Sequence, residues 1–212
     1  YAERGITKNI PFRGGVAANT VAGTLSGWNA AHEFSTKQLG GRLPLSRLFA
    51  DAVHYAENGI AVTRSQNATT AAKLAGLKGV HGFDQTYLVN GAPPAIGSVF
   101  LQPRLGATLR RLAQAGLDDF YRGELAASFA RDLAAAGSPL ALEDLHQHQA
   151  RWRTPLALKH SLGTLYNMTP PTQGLVSLLI LGILDALEIG RVDPAGPDYV
   201  HLCVEATKQA FA

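Results

Sequence analysis

The chain has 212 residues, 46% of them hydrophobic and 17% charged, with a formal net charge of +3. That composition excludes a disordered chain and suffices for one large domain or a domain and a half around a sizeable core. Its basic residues are scattered, and the densest cluster (Arg104, Arg110 and Arg111) falls on one predicted helix without interleaved aromatics. It therefore reads as a solvated helix face, and no nucleic-acid partner is expected.

Residues 1–19 read as irregular, with Pro11, Gly14 and Gly15. A first helix is expected from near Thr20, with Leu25, Trp28 and Ala31 on one face, and Gly40-Gly41 breaks the chain after it. Leu45, Leu48, Phe49, Ala52, Val53 and Ala56 then form the clearest helical stripe, with Gly59 in the place of a left-handed C-terminal residue. Thr63 to Leu74 reads as a third helix stopped by Gly76, and 77–101 as a long loop with one short strand at most. Pro103 opens the next helix at its first turn, with Leu105, Leu109 and Leu112 inward and Gly116 at its end. A helical turn at Asp118–Tyr121 follows. After it comes a helix from Glu124 to Ala136, burying Leu125, Phe129 and Leu133, and then a short helix Leu142–His148.

The pattern changes at Arg151. Pro155–Leu158 and Thr164–Met168 read as two strands around a turn at Ser161–Gly163. Thr169-Pro170-Pro171-Thr172-Gln173-Gly174 is a rigid loop feeding an apolar helix, Leu175–Leu187. The apolar run Leu175–Leu184 is too short to span a bilayer and reads as a core helix, so no membrane partner is expected. A last helix starts near Pro197 and carries Tyr199, Val200, Cys203, Val204 and Phe211, with Cys203 read as a small buried core residue. One cysteine allows no intrachain disulfide. The fold class is thus α+β and mainly helical. The organisation is one partial domain over 1–212: mainly helical over 1–150, then a strand pair, a diproline loop and two helices over 151–212. The chain opens without methionine, carries no signal peptide and stops inside a helical pattern, so both ends read as cut. Periplasmic or extracellular and cytoplasmic locations stay open.

Few residues carry an obvious chemistry. His146 and His148 are the closest histidine pair, but on a helix their rings point about 200° apart, and they read as surface polar residues with no metal expected. No phosphate loop and no nucleophile elbow occurs. The most unusual local feature is the loop 169–174. Its two prolines remove two backbone donors, its glycine allows a close approach, and the helix it opens could hold a carboxylate or an oxyanion. The competing reading is a strand-to-helix turn capped by Thr172.

Several blocks resemble a known family. They are Gly41-Arg42-Leu43-Pro44-Leu45, Tyr55-Ala56-Glu57, Gly59-Ile60-Ala61-Val62, Gln102-Pro103, Asp119-Phe120-Tyr121-Arg122-Gly123, Glu143-Asp144-Leu145, Pro170-Pro171-Thr172-Gln173-Gly174 and Glu205-Ala206-Thr207-Lys208. In this order, and over nearly the whole chain, they resemble the large subunit of the gamma-glutamyltranspeptidases. The resemblance implies part of an αββα Ntn-hydrolase sandwich, made as a precursor that cuts itself. The new N-terminal threonine of a small subunit would be the nucleophile, with its own amine as base, no cofactor, and gamma-glutamyl small molecules as substrates. The Thr-Thr-His-like processing context does not occur; Thr69-Thr70 is followed by Ala71-Ala72 in a helical pattern. No catalytic residue is therefore expected in this chain, and alone it should be inactive. The substrate-side candidates are Thr172, Gln173 and Gly174, in the loop near the site.

The departures matter too. Val21-Ala22-Gly23 stands where many members have Val-Pro-Gly, Asp51 where a proline is common, and Arg104 where an acid is common. Thr172-Gln173-Gly174-Leu175 stands where the glutathione-processing branch tends to read Ser-Ser-Gly-Gly, and looks more like the acylase-like or an uncharacterised branch. The alternatives are a cephalosporin (glutaryl) acylase-like amidohydrolase and a non-catalytic helical binding module.

Overall fold

The computed structural model describes residues 1–212, which form two compact units, 1–150 and 151–212. In the first unit the helices are α1 (Thr24–Gln38), α2 (Leu45–Asn58), α3 (Arg64–Leu77), α4 (Phe83–Tyr87), α5 (Pro103–Ala115), α6 (Asp119–Arg122), α7 (Glu124–Ala135) and α8 (Leu142–Gln147). Two short strands, β1 (Ile60–Ala61) and β2 (Val99–Phe100), pair antiparallel, with Ile60 opposite Phe100. The second unit holds β3 (Leu156–His160), β4 (Gly163–Asn167), α9 (Gly174–Ala186) and α10 (Pro197–Phe211). Its strands form an antiparallel hairpin in which Leu158 faces Leu165. The architecture is α+β and mainly helical, and no helix is long and apolar enough to cross a membrane.

The core of the first unit sits where α2 meets α5. Phe49, Leu112 and Leu117 are buried together, with Leu25, Leu45, Val53, Leu109 and Leu125 packed around them. Full burial of a side chain of this size contributes roughly 1.5–3 kcal/mol. The stripe on α2 is narrower than its sequence pattern: Phe49 and Ala56 are buried, whereas Leu48 is 51% exposed. The same narrowing occurs on α5, where Leu112 is buried and Leu105 lies in the open. The seam is filled by Leu45, Phe49 and Val53, four apart on α2, and by Leu109 and Leu112, three apart on α5.

Several sequence expectations are corrected. The first helix begins at Thr24, not Thr20; Ala31 is exposed and Trp28 half-emerges while meeting Phe49 edge-on. Gly76 does not stop α3, which runs to Leu77; the Arg13 guanidinium lies over Gly76, where a side chain would collide with it. The segment 77–101 does hold one short strand, β2, which pairs with a strand directly after Gly59, but it also contains an unexpected helix, α4, whose Phe83 is buried. The helix is not visible as periodicity, because five residues are too few for a pattern to repeat. The hairpin also runs further than expected, with β3 reaching His160 and β4 starting at Gly163.

In the second unit α9 is not fully a core helix. Leu178 is buried, but Leu175, Leu179 and Leu181 are 40%, 44% and 41% exposed. On α10 the inward side is Tyr199, Leu202, Cys203, Ala206 and Ala210, and Cys203 is half-buried. Val200, Val204 and Phe211 lie about 100° round the helix from that side and are exposed. The helix is apolar on two sides, so composition alone did not show which side faces inward.

Candidate functional site

The loop between β4 and α9 is fixed by its own polar groups. The Pro170–Pro171 peptide is cis. The Thr172 hydroxyl is shared between the carbonyls of Met168 (3.2 Å) and Thr169 (3.1 Å), and it accepts the Gly174 N–H at 3.2 Å. The Asn167 carboxamide oxygen accepts the Met168 N–H at 2.8 Å. Gly174 is buried, and any Cβ there would overlap the Met168 carbonyl oxygen and come within 2.7 Å of Asn167 Oδ1. Glycine is therefore required by the close approach of strand end and helix start.

The three candidates in this loop accordingly differ. Thr172 spends its hydroxyl on the loop, and Gly174 supplies space. Gln173 is the N-cap of α9 and makes no side-chain cap, so Thr172 satisfies the first helical N–H from one position upstream of where a capping side chain belongs. The Gln173 carbonyl accepts from Ser177, while its exposed carboxamide has no partner. Of the three side chains, that carboxamide alone is available to a ligand.

At the hairpin tip a serine, a histidine and an aspartate meet. Asp185 on α9 accepts from the Ser161 backbone N–H at 2.9 Å and from the Ser161 hydroxyl, and lies 3.5 Å from His160 Nε2. The Ser161 hydroxyl holds the Asp185 carboxyl below the usual carboxylate range. The Leu162 N–H donates to His160 Nδ1 at 3.1 Å. The imidazole lone pair is thus already engaged and the serine points at the acid, which suits a clasp between hairpin and helix rather than a nucleophile.

In the first unit the block Asp119–Gly123 is an organising node that sequence reasoning did not single out as such. Arg111 grips Asp119 in a bidentate pair at 2.7 and 2.8 Å, and the same carboxylate accepts the Glu124 and Leu125 N–H groups at the start of α7. The Arg111 hydrogen bond is the main cause holding the Asp119 carboxyl below its ordinary range, and the same contact raises the guanidinium. A Cβ at Gly123 would overlap the Asp119 carboxylate, which explains the glycine. Tyr121 is buried; its hydroxyl donates to the Ala22 carbonyl at 2.7 Å and accepts the Ser26 N–H at 3.0 Å, and its ring stacks on His148. Burial pushes the Tyr121 phenol up. The signal available in the sequence was an acid four residues before a glycine that precedes an acidic helix start.

The remaining candidates fall apart in space. His146 lies 4.0 Å from Glu143, whereas His148 is packed on Tyr121 and its Nε2 is buried without a partner. Arg110 and Arg111 are solvent-facing, as a basic helix face would be, and each is also ion-paired: Arg110 with Glu57, and Arg111 with Asp119 and Glu124. Thr70 sits inside α3 and donates to the Gln66 carbonyl at 2.8 Å.

A family model described as gamma-glutamyltranspeptidase matches residues 1–212. The oxamate amidohydrolase proenzyme of Klebsiella pneumoniae subsp. pneumoniae is 54% identical over 205 residues, covering 97% of this chain and 38% of that protein. The gamma-glutamyltranspeptidase of Pseudomonas nitroreducens, solved with L-DON, superposes with a TM-score of 0.79 at 32% identity, over 93% of this chain and 57% of that one. The cephalosporin acylase of Bacillus halodurans superposes with a TM-score of 0.84 at 26% identity, over 99% of this chain and 39% of that one. The chain thus spans less than half the length of the Klebsiella relative. By the family match over every residue, and by this likeness in sequence and fold, the chain belongs to the gamma-glutamyltranspeptidase family.

Proposed function

We propose that this chain is the scaffold part of an amidohydrolase whose nucleophile is an N-terminal threonine carried by a segment outside residues 1–212. The 54% identity to an oxamate amidohydrolase proenzyme is the observation that carries the reading. It favours a small amide with an adjacent carboxylate as substrate, ahead of glutathione. The reaction is hydrolysis through an acyl-enzyme: the threonine oxygen attacks the amide carbon, the amine leaves with a proton, and water releases the acid. The loop Thr172-Gln173-Gly174 is assigned to the substrate side, with Thr172 and Gly174 shaping it and Gln173 presenting its carboxamide.

Two observations support a complementary chain. The relative is a proenzyme of which this chain covers 38%. In addition, α9 and α10 expose apolar side chains, notably Val200 at 60%, Val204 at 50% and Phe211 at 60%, beyond what a finished surface of this size needs. With that complement the fold would be completed as the αββα sandwich.

Gamma-glutamyl transfer or hydrolysis is the second reading, favoured by the family match and by the likeness to the Pseudomonas nitroreducens enzyme. A glutaryl acylase is the third, favoured by the likeness to the Bacillus halodurans acylase. Steady-state kinetics of the whole gene product on oxamate, a gamma-glutamyl anilide and a glutaryl amide separate them. The expected result is the highest kcat/KM on oxamate. A preference for the gamma-glutamyl anilide would move the assignment to the second reading, and a preference for the glutaryl amide to the third.

A further inference from the structure

The first unit also carries a cleft lined only by its own residues. It is a cavity of about 500 Å³ between α2, α3, α5 and the wall made by α4 and β2. Its floor is apolar and includes the buried Ala56 and Phe100. Around that floor stand Tyr55, Tyr87, Gln66, Gln102 and Thr69. None of these five has a hydrogen-bond partner for its side-chain polar group, and the two glutamines are half-buried. Tyr87 makes a tilted ring contact with Phe83, 5.4 Å between centroids. No charged side chain lines this cavity.

These features define a ligand class. A volume of this order takes an organic molecule rather than an ion, and an apolar floor rimmed by a few converging polar groups is the common form of a small-molecule site. Carboxamides and phenols both donate and accept, so they pair with a neutral group that does the same. With no charge in the lining, a carboxylate or an ammonium would find no ionic partner there, which favours a neutral ligand. The geometry points to a binding site for an uncharged aromatic amide, its ring on the Phe100 and Leu109 floor between Tyr55 and Tyr87 and its amide against Gln66 and Gln102. The site lies wholly within residues 52–109 and is independent of the identity of the nucleophile.

Fluorine NMR of the whole gene product, with para-fluorobenzamide as probe, tests this without reference to activity. The expected result is saturable broadening with a Kd of about 1 mM or tighter. In the double variant Gln66→Leu, Gln102→Leu the affinity should fall about tenfold, the loss of one or two hydrogen bonds. A circular dichroism melt reports whether that variant is folded; if it is not, Tyr87→Ala takes its place, with the same expected loss. Para-fluorobenzoate should bind more weakly than the amide. No saturable binding of the amide, undiminished binding to a folded variant, or equal binding of the benzoate would each overturn the proposal.

Discussion

The two units solve the problem of burial differently. Residues 1–150 bury Phe49, Leu112, Leu117, Tyr121 and Leu145 almost completely and tie their elements together with polar contacts far apart in sequence. Residues 151–212 bury only Leu178 and Ala206 among their apolar side chains, and their polar contacts are local or, like Asp185 to Ser161, span one hairpin and one helix. The comparison teaches that regular secondary structure and a closed core are separate achievements. The second unit has a well-formed hairpin and two long helices, yet leaves apolar stripes uncovered.

The sharpest way to break this comparison is in the first core. Leu112→Ala leaves a cavity where α2 meets α5 and should cost about 3 kcal/mol of unfolding free energy, read by denaturant titration. A cost below about 1 kcal/mol would mean that the first unit is no better packed than the second. Gly174→Ala should come next, at roughly 2 kcal/mol, because the new methyl group overlaps the Met168 carbonyl; the same titration checks it. Tyr121→Phe removes the hydroxyl from Ala22 and Ser26 and should cost about 1 kcal/mol, with the loss appearing as faster amide exchange at Ser26.

Acid should act through Asp119. Its folded carboxyl titrates below the unfolded value of about 3.9, so its contribution is fully present above that value and is lost as pH falls through the depressed one. Asp119→Asn should flatten the decline of stability in that window, measured as denaturant midpoint against pH. The smallest effect is expected at Val204→Ser, which should change the stability of residues 1–212 by less than about 0.5 kcal/mol. A larger loss in the whole gene product than in this chain would show that the stripe on α10 is covered there.

What the sequence disclosed follows from range. Helices such as α2 and α5 were legible because an apolar period repeats over three turns or more, and the hairpin because Ser161–Gly163 stands between two alternating runs. The five-residue α4 and the two-residue β1 were not, and the one short strand expected within 77–101 could not be placed at Val99–Phe100, since each is specified by contacts made elsewhere, Phe83 in the core and Ile60 opposite Phe100. At the candidate loop the diproline and the glycine were visible, but the division of labour was not. That the Thr172 hydroxyl is bonded within the loop while the Gln173 carboxamide stays free depends on the carbonyls of Met168 and Thr169, which no spacing reveals. The Arg111–Asp119 node was similarly hidden inside what read as a basic cluster.

Intact-mass analysis with N-terminal sequencing of the whole gene product bears most directly on the proposal that a threonine outside this chain does the chemistry. The account predicts two polypeptides, the smaller beginning with threonine, and oxamate hydrolysis only in the cut form. A single uncut chain that hydrolyses oxamate, or a cleavage whose new N-terminus lies within residues 1–212, would contradict it.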